Sequence, residues 1–368
     1  MATATPFPAD RPAAETPAPR NLVYNLDEDI AHFFTKASTT RSACDARARE
    51  LTGGRVEPIN MQGVCSYTVN AGPHLEYIVQ FRLEPARLKL ETSDLAKDVY
   101  GDMAPDVWFR GVLGEKKEGK EPLHVYLIQR IPGVTLFNFF LCYGKPYNSG
   151  QASKWRQNLL EDMARFLAAS WKKPQAVEPA YREEMKQTHL KELRLLQEAL
   201  PTRFQKVIEH CIESLDAIFS LPMVFLHPDL RINNLIVHEE TCRLTGVIDW
   251  AEADIYPFGM NLHCLEALTA RQRPQVGFVR YHDYDDMQAV FWSTFQQEVG
   301  PLTNETLTTI NTCRVTGLLL SVGFTSRLPI SPPHQPICDD DYGRNHLLHL
   351  DSILNNDLLA ANNPDAGE

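Results

Sequence analysis

Two periodicities divide the chain. Between residues 56 and 131 apolar side chains recur at every second position, as in Tyr77-Ile-Val-Gln-Phe-Arg-Leu83. That period predicts half-buried strands over 56–59, 67–69, 77–83, 107–113 and 123–131. From residue 134 onward spacings of three and four take over. Leu159, Met163, Phe166 and Leu167 fall on one face of a helix expected over 154–172, and similar patterns predict helices over 181–200, 204–221, 263–270, 286–299, 307–326 and 342–354. One helix over 26–51 is expected ahead of the strands, and a short one over 91–100, stopped by Gly101 and Pro105, among them. Pro132 and Gly133 break the chain where the period changes. The pattern therefore reads as an α+β protein with an Ala- and Pro-rich tail over 1–20, a β-rich lobe over 21–132, a mainly helical lobe over 133–355 and a loose end over 356–368. Segments 271–285 and 328–341 are expected to be irregular.

Composition narrows the partners more than the fold. At 368 residues the chain is long enough for two compact cores. A net charge of −11 argues against binding nucleic-acid backbones as the main role and fits a cationic small molecule. The eight cysteines form no Cys-x-x-Cys pair and follow no secretory leader, so we expect reduced thiols in a cytoplasmic protein. Prolines in the tail spoil a mitochondrial leader helix. The longest apolar candidate, 315–324, is interrupted by Gly317 and Gly323 and reaches half of the roughly 20 residues a membrane span needs.

The chemistry concentrates where short strands interrupt the helical half. The runs Leu235-Ile-Val237 and Val247-Ile248 are separated by the polar segment 238–243 and should pair as a hairpin. A turn centred near Thr241 sets Asn234 opposite Asp249, with Cβ atoms about 5 Å apart. An amide oxygen beside a carboxylate suits Mg²⁺, a hard ion that completes its shell with water and substrate phosphates. Asp229 lies five residues before Asn234 in a loop that Pro228 keeps out of helix. A base that accepts a hydroxyl proton beside a metal-bound phosphate belongs there. A single Asp or Asn in a turn usually serves only the backbone; the spaced set points to phosphoryl transfer. Gly63 and Ser66, in the link 62–66 between two strands, are candidates for cradling phosphate, with a plain turn as the alternative.

The segments His227-Pro-Asp-Leu-Arg-Ile-Asn-Asn234 and Gly246-Val-Ile-Asp-Trp250 resemble the catalytic loop and metal-binding segment of the aminoglycoside phosphotransferase and choline kinase-like enzymes. These share the bilobal protein-kinase-like fold, a small antiparallel sheet with one helix set against a larger helical lobe. The resemblance implies ATP- and Mg²⁺-dependent transfer of the γ-phosphate to a small-molecule hydroxyl. Under it Asp229 matches the base, Asn234 and Asp249 the metal ligands, and His227 a residue that organises the loop. Such enzymes carry a phosphate-holding cation on the third strand, and here that place falls on Gln80. Arg82, on the same face, either takes over the charge or is a solvated surface arginine. The family's helix glutamate matches Glu91, with Asp94 as a rival one turn on, and Gln129-Arg-Ile-Pro-Gly133 resembles the hinge whose backbone, at Gln129 and Ile131, bonds the adenine edge. Asn261 stands where relatives have an aspartate that braces the catalytic loop. Gln80 motivates a rival reading, a nucleotide-binding pseudokinase that acts as a scaffold or regulator; retention of Asp229, Asn234 and Asp249 favours the enzyme. The chain leaves no room for a long activation loop after Asp249, which argues against protein hydroxyls as acceptors. Asp339-Asp-Asp341 would draw a cationic acceptor, the plainer reading being a solvated charged face.

Overall fold

A computed structural model describes residues 25–144, 146–325 and 334–361. The tail expected over 1–20 and residues 328–333 of the second irregular segment lie outside the described residues. The N-terminal elements are α1 (Leu26–Thr35), α2 (Arg41–Thr52), β1 (Arg55–Pro58), β2 (Ser66–Gly72), β3 (Tyr77–Leu83), α3 (Leu90–Tyr100), β4 (Val107–Leu113) and β5 (Leu123–Gln129). The five strands form one antiparallel sheet in the order β1-β2-β3-β5-β4.

Period-two alternation on β3 decides what each face of the sheet carries. Val79, Phe81 and Leu83 join Tyr67, Val69, Leu123 and Val125 in a core covered by Ile30, Phe33, Cys44 and Ala48 of α1 and α2. Gln80 and Arg82 fall on the opposite face. The single helix expected over 26–51 is two helices, because the segment between them is drawn out to pair with a distant strand end. Ser38 N–H donates to the Glu121 carbonyl (2.8 Å) and Glu121 N–H to that of Lys36 (2.9 Å). Thr40 then caps α2, its Oγ1 accepting from Ala43 N–H (3.2 Å).

The second lobe contains β6 (Val134–Thr135), α4 (Leu136–Tyr143), α5 (Gly150–Lys172), α6 (Pro179–Ala199), α7 (Gln205–Glu213), α8 (Leu215–Ile218), β7 (Met223–Leu226), β8 (Leu235–Val237), β9 (Leu244–Val247), β10 (Asp254–Pro257), α9 (Glu266–Thr269), β11 (Ala270–Arg273), β12 (Gly277–Arg280), α10 (Tyr284–Val299), α11 (Asn304–Val322) and α12 (Asp341–Ala361). Three features depart from the periodicity. The helix expected over 204–221 breaks at Ser214 into α7 and α8, the irregular 271–285 contains the β11–β12 hairpin, and α12 continues past residue 355. β7 pairs with β10 across the catalytic segment, and β6 pairs with β8 beside β9.

The sequence boundary and the packing boundary do not coincide. The smaller core takes no buried residue beyond Leu127, but α3, although it precedes that point, gives Ala96, Val99 and Tyr100 to the larger core. The Tyr100 hydroxyl donates to the Phe225 carbonyl (2.5 Å), and its ring lies 4.3 Å from Phe166 and 4.9 Å from Trp250. α3 thus belongs to the helical lobe by contact and to the β lobe by sequence.

Candidate active site

The loop between β7 and β8 is folded back on itself by its own polar groups. Arg231 N–H donates to the Asp229 carbonyl and Asn234 N–H to that of Arg231, each at 2.8 Å. The Asn234 amide then donates to the Asp229 carbonyl (2.8 Å) and to its Oδ2 (3.2 Å), while Arg231 Nε sits 2.5 Å from Oδ1. This leaves Asn234 Oδ1, an acceptor only, as the atom of that side chain able to meet a cation.

The register of the hairpin differs by one residue from the sequence expectation. Leu235 pairs with Val247, and Ile248 N–H donates to the Asn234 carbonyl (2.9 Å), so Asn234 faces Ile248 and Asp249 lies one position further on. The turn closes early, with Val237 opposite Leu244, which alone would set Asn234 against Val247; a bulge at Thr245, unpaired between Gly246 and Leu244, takes back one of those two positions, its hydroxyl 2.8 Å from the Pro132 carbonyl and 3.1 Å from that of Ile236. Asp249 itself is left-handed, with φ +64° and ψ +56°, which turns it out of the strand. Its carboxylate stands 4.0 Å from Arg82 NH1. Strain of this kind in a non-glycine residue is common at functional sites.

Arg82 is a buried cation beside Asp249. Only 6% exposed, it donates from Nε to the Ala86 carbonyl (2.6 Å) and from NH1 to Gln80 Oε1 (3.2 Å). Gln80 therefore orients the guanidinium, and the reading of Arg82 as a solvated surface residue is corrected by its burial. The two acidic candidates on α3 are not drawn in: Glu91 and Asp94 are both exposed, outside the partners Arg82 takes.

His227 binds the two halves together. Its Nε2 donates to the Ile248 carbonyl (2.9 Å), and its own carbonyl accepts from the amide of buried Asn261 (3.2 Å). Burial holds the imidazole below its usual pKa, against the opposing pull of Ile248 and of Asp249 and Asp229, so it is a neutral strut. Asn261 thus fastens the loop. Trp250, which the sequence reading gave no role, packs on His227 (5.0 Å) and Phe225 (5.8 Å) and donates from Nε1 to the Val247 carbonyl (2.8 Å). Glu252 was also passed over. It is exposed at its rim, but lost solvation, then the like charges of Asp229 and Asp249, hold its carboxyl above the usual range.

The remaining candidates divide. Gly63 is exposed, and a side chain there would meet only Ser66 Oγ, at 3.9 Å, while Ser66 is buried and its hydroxyl pairs with Thr68 Oγ1 (3.0 Å). Burial, first of all, raises the thiol pKa of Cys65 between them, with the Arg82 charge opposing and those of Asp249 and Glu252 adding to the shift. Gln129 N–H is taken by the Asp106 carbonyl (2.9 Å), so a contact from Gln129 to a base would come from its carbonyl. Ile131 is buried against Gly246. The acidic run is committed elsewhere. Asp340 Oδ1 accepts from Gly343 N–H (2.7 Å) at the start of α12, and exposed Asp339 lies 3.6 Å from Arg344, the pattern of a solvated charged face.

Among the described residues no three His, Cys, Asp or Glu side chains form a self-sufficient metal site. The donors that fit a hard divalent ion are Asn234 Oδ1 and the Asp249 carboxylate, with the rest of its shell left to water and phosphate oxygens. A sequence model of the phosphotransferase enzyme family matches residues 68–285, a span that holds β3, the hinge, the loop and the hairpin. The chain belongs to that family. Its α+β architecture is the family's bilobal, protein-kinase-like fold. A protein of Ralstonia eutropha JMP134, provisionally assigned as an aminoglycoside phosphotransferase, has a TM-score of 0.51 at 16% identity, over 84% of this chain and 95% of that one. Aminoglycoside 2′-phosphotransferase-IIIa in its GDP complex gives 0.49 at 13%, over 89% and 99%, and a macrolide 2′-phosphotransferase from Brachybacterium faecium gives 0.48 at 15%, over 76% and 90%. No curated protein matches the sequence. Within the family frame, no described helix is long and apolar enough to cross a membrane, and all eight cysteines are free.

Proposed function

We propose that this phosphotransferase moves the γ-phosphate of ATP, taken with Mg²⁺, to a hydroxyl of a small molecule. The observation that carries the reading is the hold of the Asn234 amide on Asp229, in a hairpin that also turns Asp249 toward the buried Arg82. Asn234 and Asp249 would hold the metal, which when bound neutralises phosphate charge. Arg82, kept in place by Gln80 and the Ala86 carbonyl, steadies the donor phosphates. Asp229 accepts the acceptor's proton or orients its hydroxyl. Arg231 occupies one of the Asp229 oxygens, but its side chain is 68% exposed, and letting go of an exposed ion pair costs at most about 1 kcal/mol. Positioning and charge neutralisation then supply most of the rate, because phosphoryl transfer asks little covalent chemistry of a protein.

Arg82 also speaks against the scaffold reading, whose motive was the neutral Gln80. The test is direct. The folded chain is incubated with ATP, Mg²⁺ and a broad panel of hydroxylated small molecules, and products are screened by mass spectrometry for a gained phosphate. Asp229→Asn should lower kcat by about 10²- to 10⁴-fold with little change in nucleotide binding. Nucleotide binding without turnover on any acceptor would favour the scaffold, and an Asp229→Asn enzyme as fast as wild type would remove Asp229 from the mechanism.

A further inference from the structure

The lobe junction does not float over the catalytic hairpin but is seated in it. Thr245 holds the Pro132 carbonyl, and β6 pairs with β8 immediately after Gly133. Gly133, at φ +124°, brings its backbone against Val237, where a side chain would strike the Val237 carbonyl and come within 3.1 Å of Ile236 Cγ2. Gly246 makes the matching approach from the other side. A Cβ built on it would collide with Ile131 Cδ1 and stand 3.0 Å from both Ile131 Cγ2 and the Met103 carbonyl. The buried Ile131 side chain therefore fills the space that Gly246 leaves empty.

We propose that Gly246 is a positioning residue for the nucleotide base: its missing side chain is the seat into which Ile131 drops, and the depth of that seat fixes where the junction presents its backbone to the base. The inference rests on the functional reading above, with the base set beside Ile131 as the resemblance of the 129–133 segment to the family's hinge implies. An added methyl meets Ile131 Cδ1 first and then, at 3.0 Å, both Ile131 Cγ2 and the Met103 backbone carbonyl, so Ile131 must shift to admit it and close packing resists that shift. The hydrogen bonds and ion pair that hold Asp229 run to Asn234 and Arg231 and none of them involves Ile131, so the acceptor side should not sense the change.

The experiment is a size-complementation cycle on the full chain, using Gly246→Ala, Ile131→Val and the double variant. MgATP dissociation constants come from calorimetric titration, donor and acceptor KM from turnover, and folding from circular dichroism. Gly246→Ala should weaken MgATP binding about ten- to hundredfold and raise donor KM, with acceptor KM unchanged. Ile131→Val, which deletes the colliding Cδ1, should bring the double variant back to the affinity of Ile131→Val alone. Wild-type affinity in folded Gly246→Ala, or a double variant as weak as Gly246→Ala, overturns the inference. If Gly246→Ala does not fold, the double variant decides: it must fold and bind as Ile131→Val does, and otherwise the inference fails. A wild-type chain that binds no MgATP overturns the functional reading instead, and this inference with it.

Discussion

Arg82 concentrates the electrostatics of the cleft in one buried group. It has three partners, and replacing it with Met would strip the charge and leave the Ala86 carbonyl and the Gln80 amide without their donor. Charge-assisted hydrogen bonds contribute about 1.5–3 kcal/mol, so Arg82→Met should weaken MgATP binding by roughly ten- to hundredfold in a titration. Arg82→Lys should recover only part, because a point ammonium cannot serve several partners in one plane. Unchanged affinity in the Met variant would remove Arg82 from the donor site. Cys65 offers a second check on the same geometry. N-ethylmaleimide should inactivate the wild-type chain slowly, MgATP should protect it, and Cys65→Ser should resist; equal sensitivity of the Ser variant would mean the turn does not lie over the nucleotide. At this scale the sequence yielded the polar set but not its register. The turn closes earlier than the polar segment suggests and the Thr245 bulge offsets part of that shift, and neither the bulge nor the left-handed turn at Asp249 leaves a trace in hydrophobic period. Glu91 shows the converse: its helix was legible, but which way a helix rolls depends on what it packs against, and α3 gives its apolar face to Phe166 and Trp250.

Among the elements, β3, β5 and the β8–β9 hairpin were readable because strand alternation and short apolar runs are local properties. The split between α1 and α2 and the pairing of β7 with β10 were not, since both are set by partners far along the chain: Glu121 for the first, the strand after the catalytic turn for the second. The element that deserves perturbing is α3 with its anchor. Trp250→Ala should lower unfolding stability by about 3–5 kcal/mol, as expected for losing a buried aromatic. Tyr100→Phe should cost about 1 kcal/mol through the lost bond to Phe225. Urea denaturation measures both, and a Trp250 variant within a few tenths of wild type would mean that this contact does not hold α3.

For the molecule as a whole, the buried histidines set a pH response. Burial, then the neighbouring His349 charge, takes His263 down to about 3, and burial with Arg231 nearby takes His349 down to about 4. Both folded values lie below the unfolded value near 6.5, so the unfolded chain binds the extra protons. Stability from these groups is therefore complete above about pH 6.5 and is lost as the pH falls toward 4, by up to about 1.4 kcal/mol per unit for each. Urea midpoints between pH 6.5 and 5, above most carboxylate titration, should fall, and His349→Phe, beside Phe278 at 4.6 Å, should flatten the slope. A flat wild-type profile in that window would contradict it.

The rooting of α3 in the helical lobe has a practical corollary for anyone recombining relatives. A chimaera spliced at residue 132 would import a foreign helix and ask it to mate with a resident Phe166, Phe225 and Trp250 it has never met. Grafting only residues 25–88 transfers the sheet's first three strands while leaving that marriage intact, although β5 must then accept a new neighbour in β3. The natural seam for recombination runs through the body of the β lobe, on the far side of α3 from the hinge.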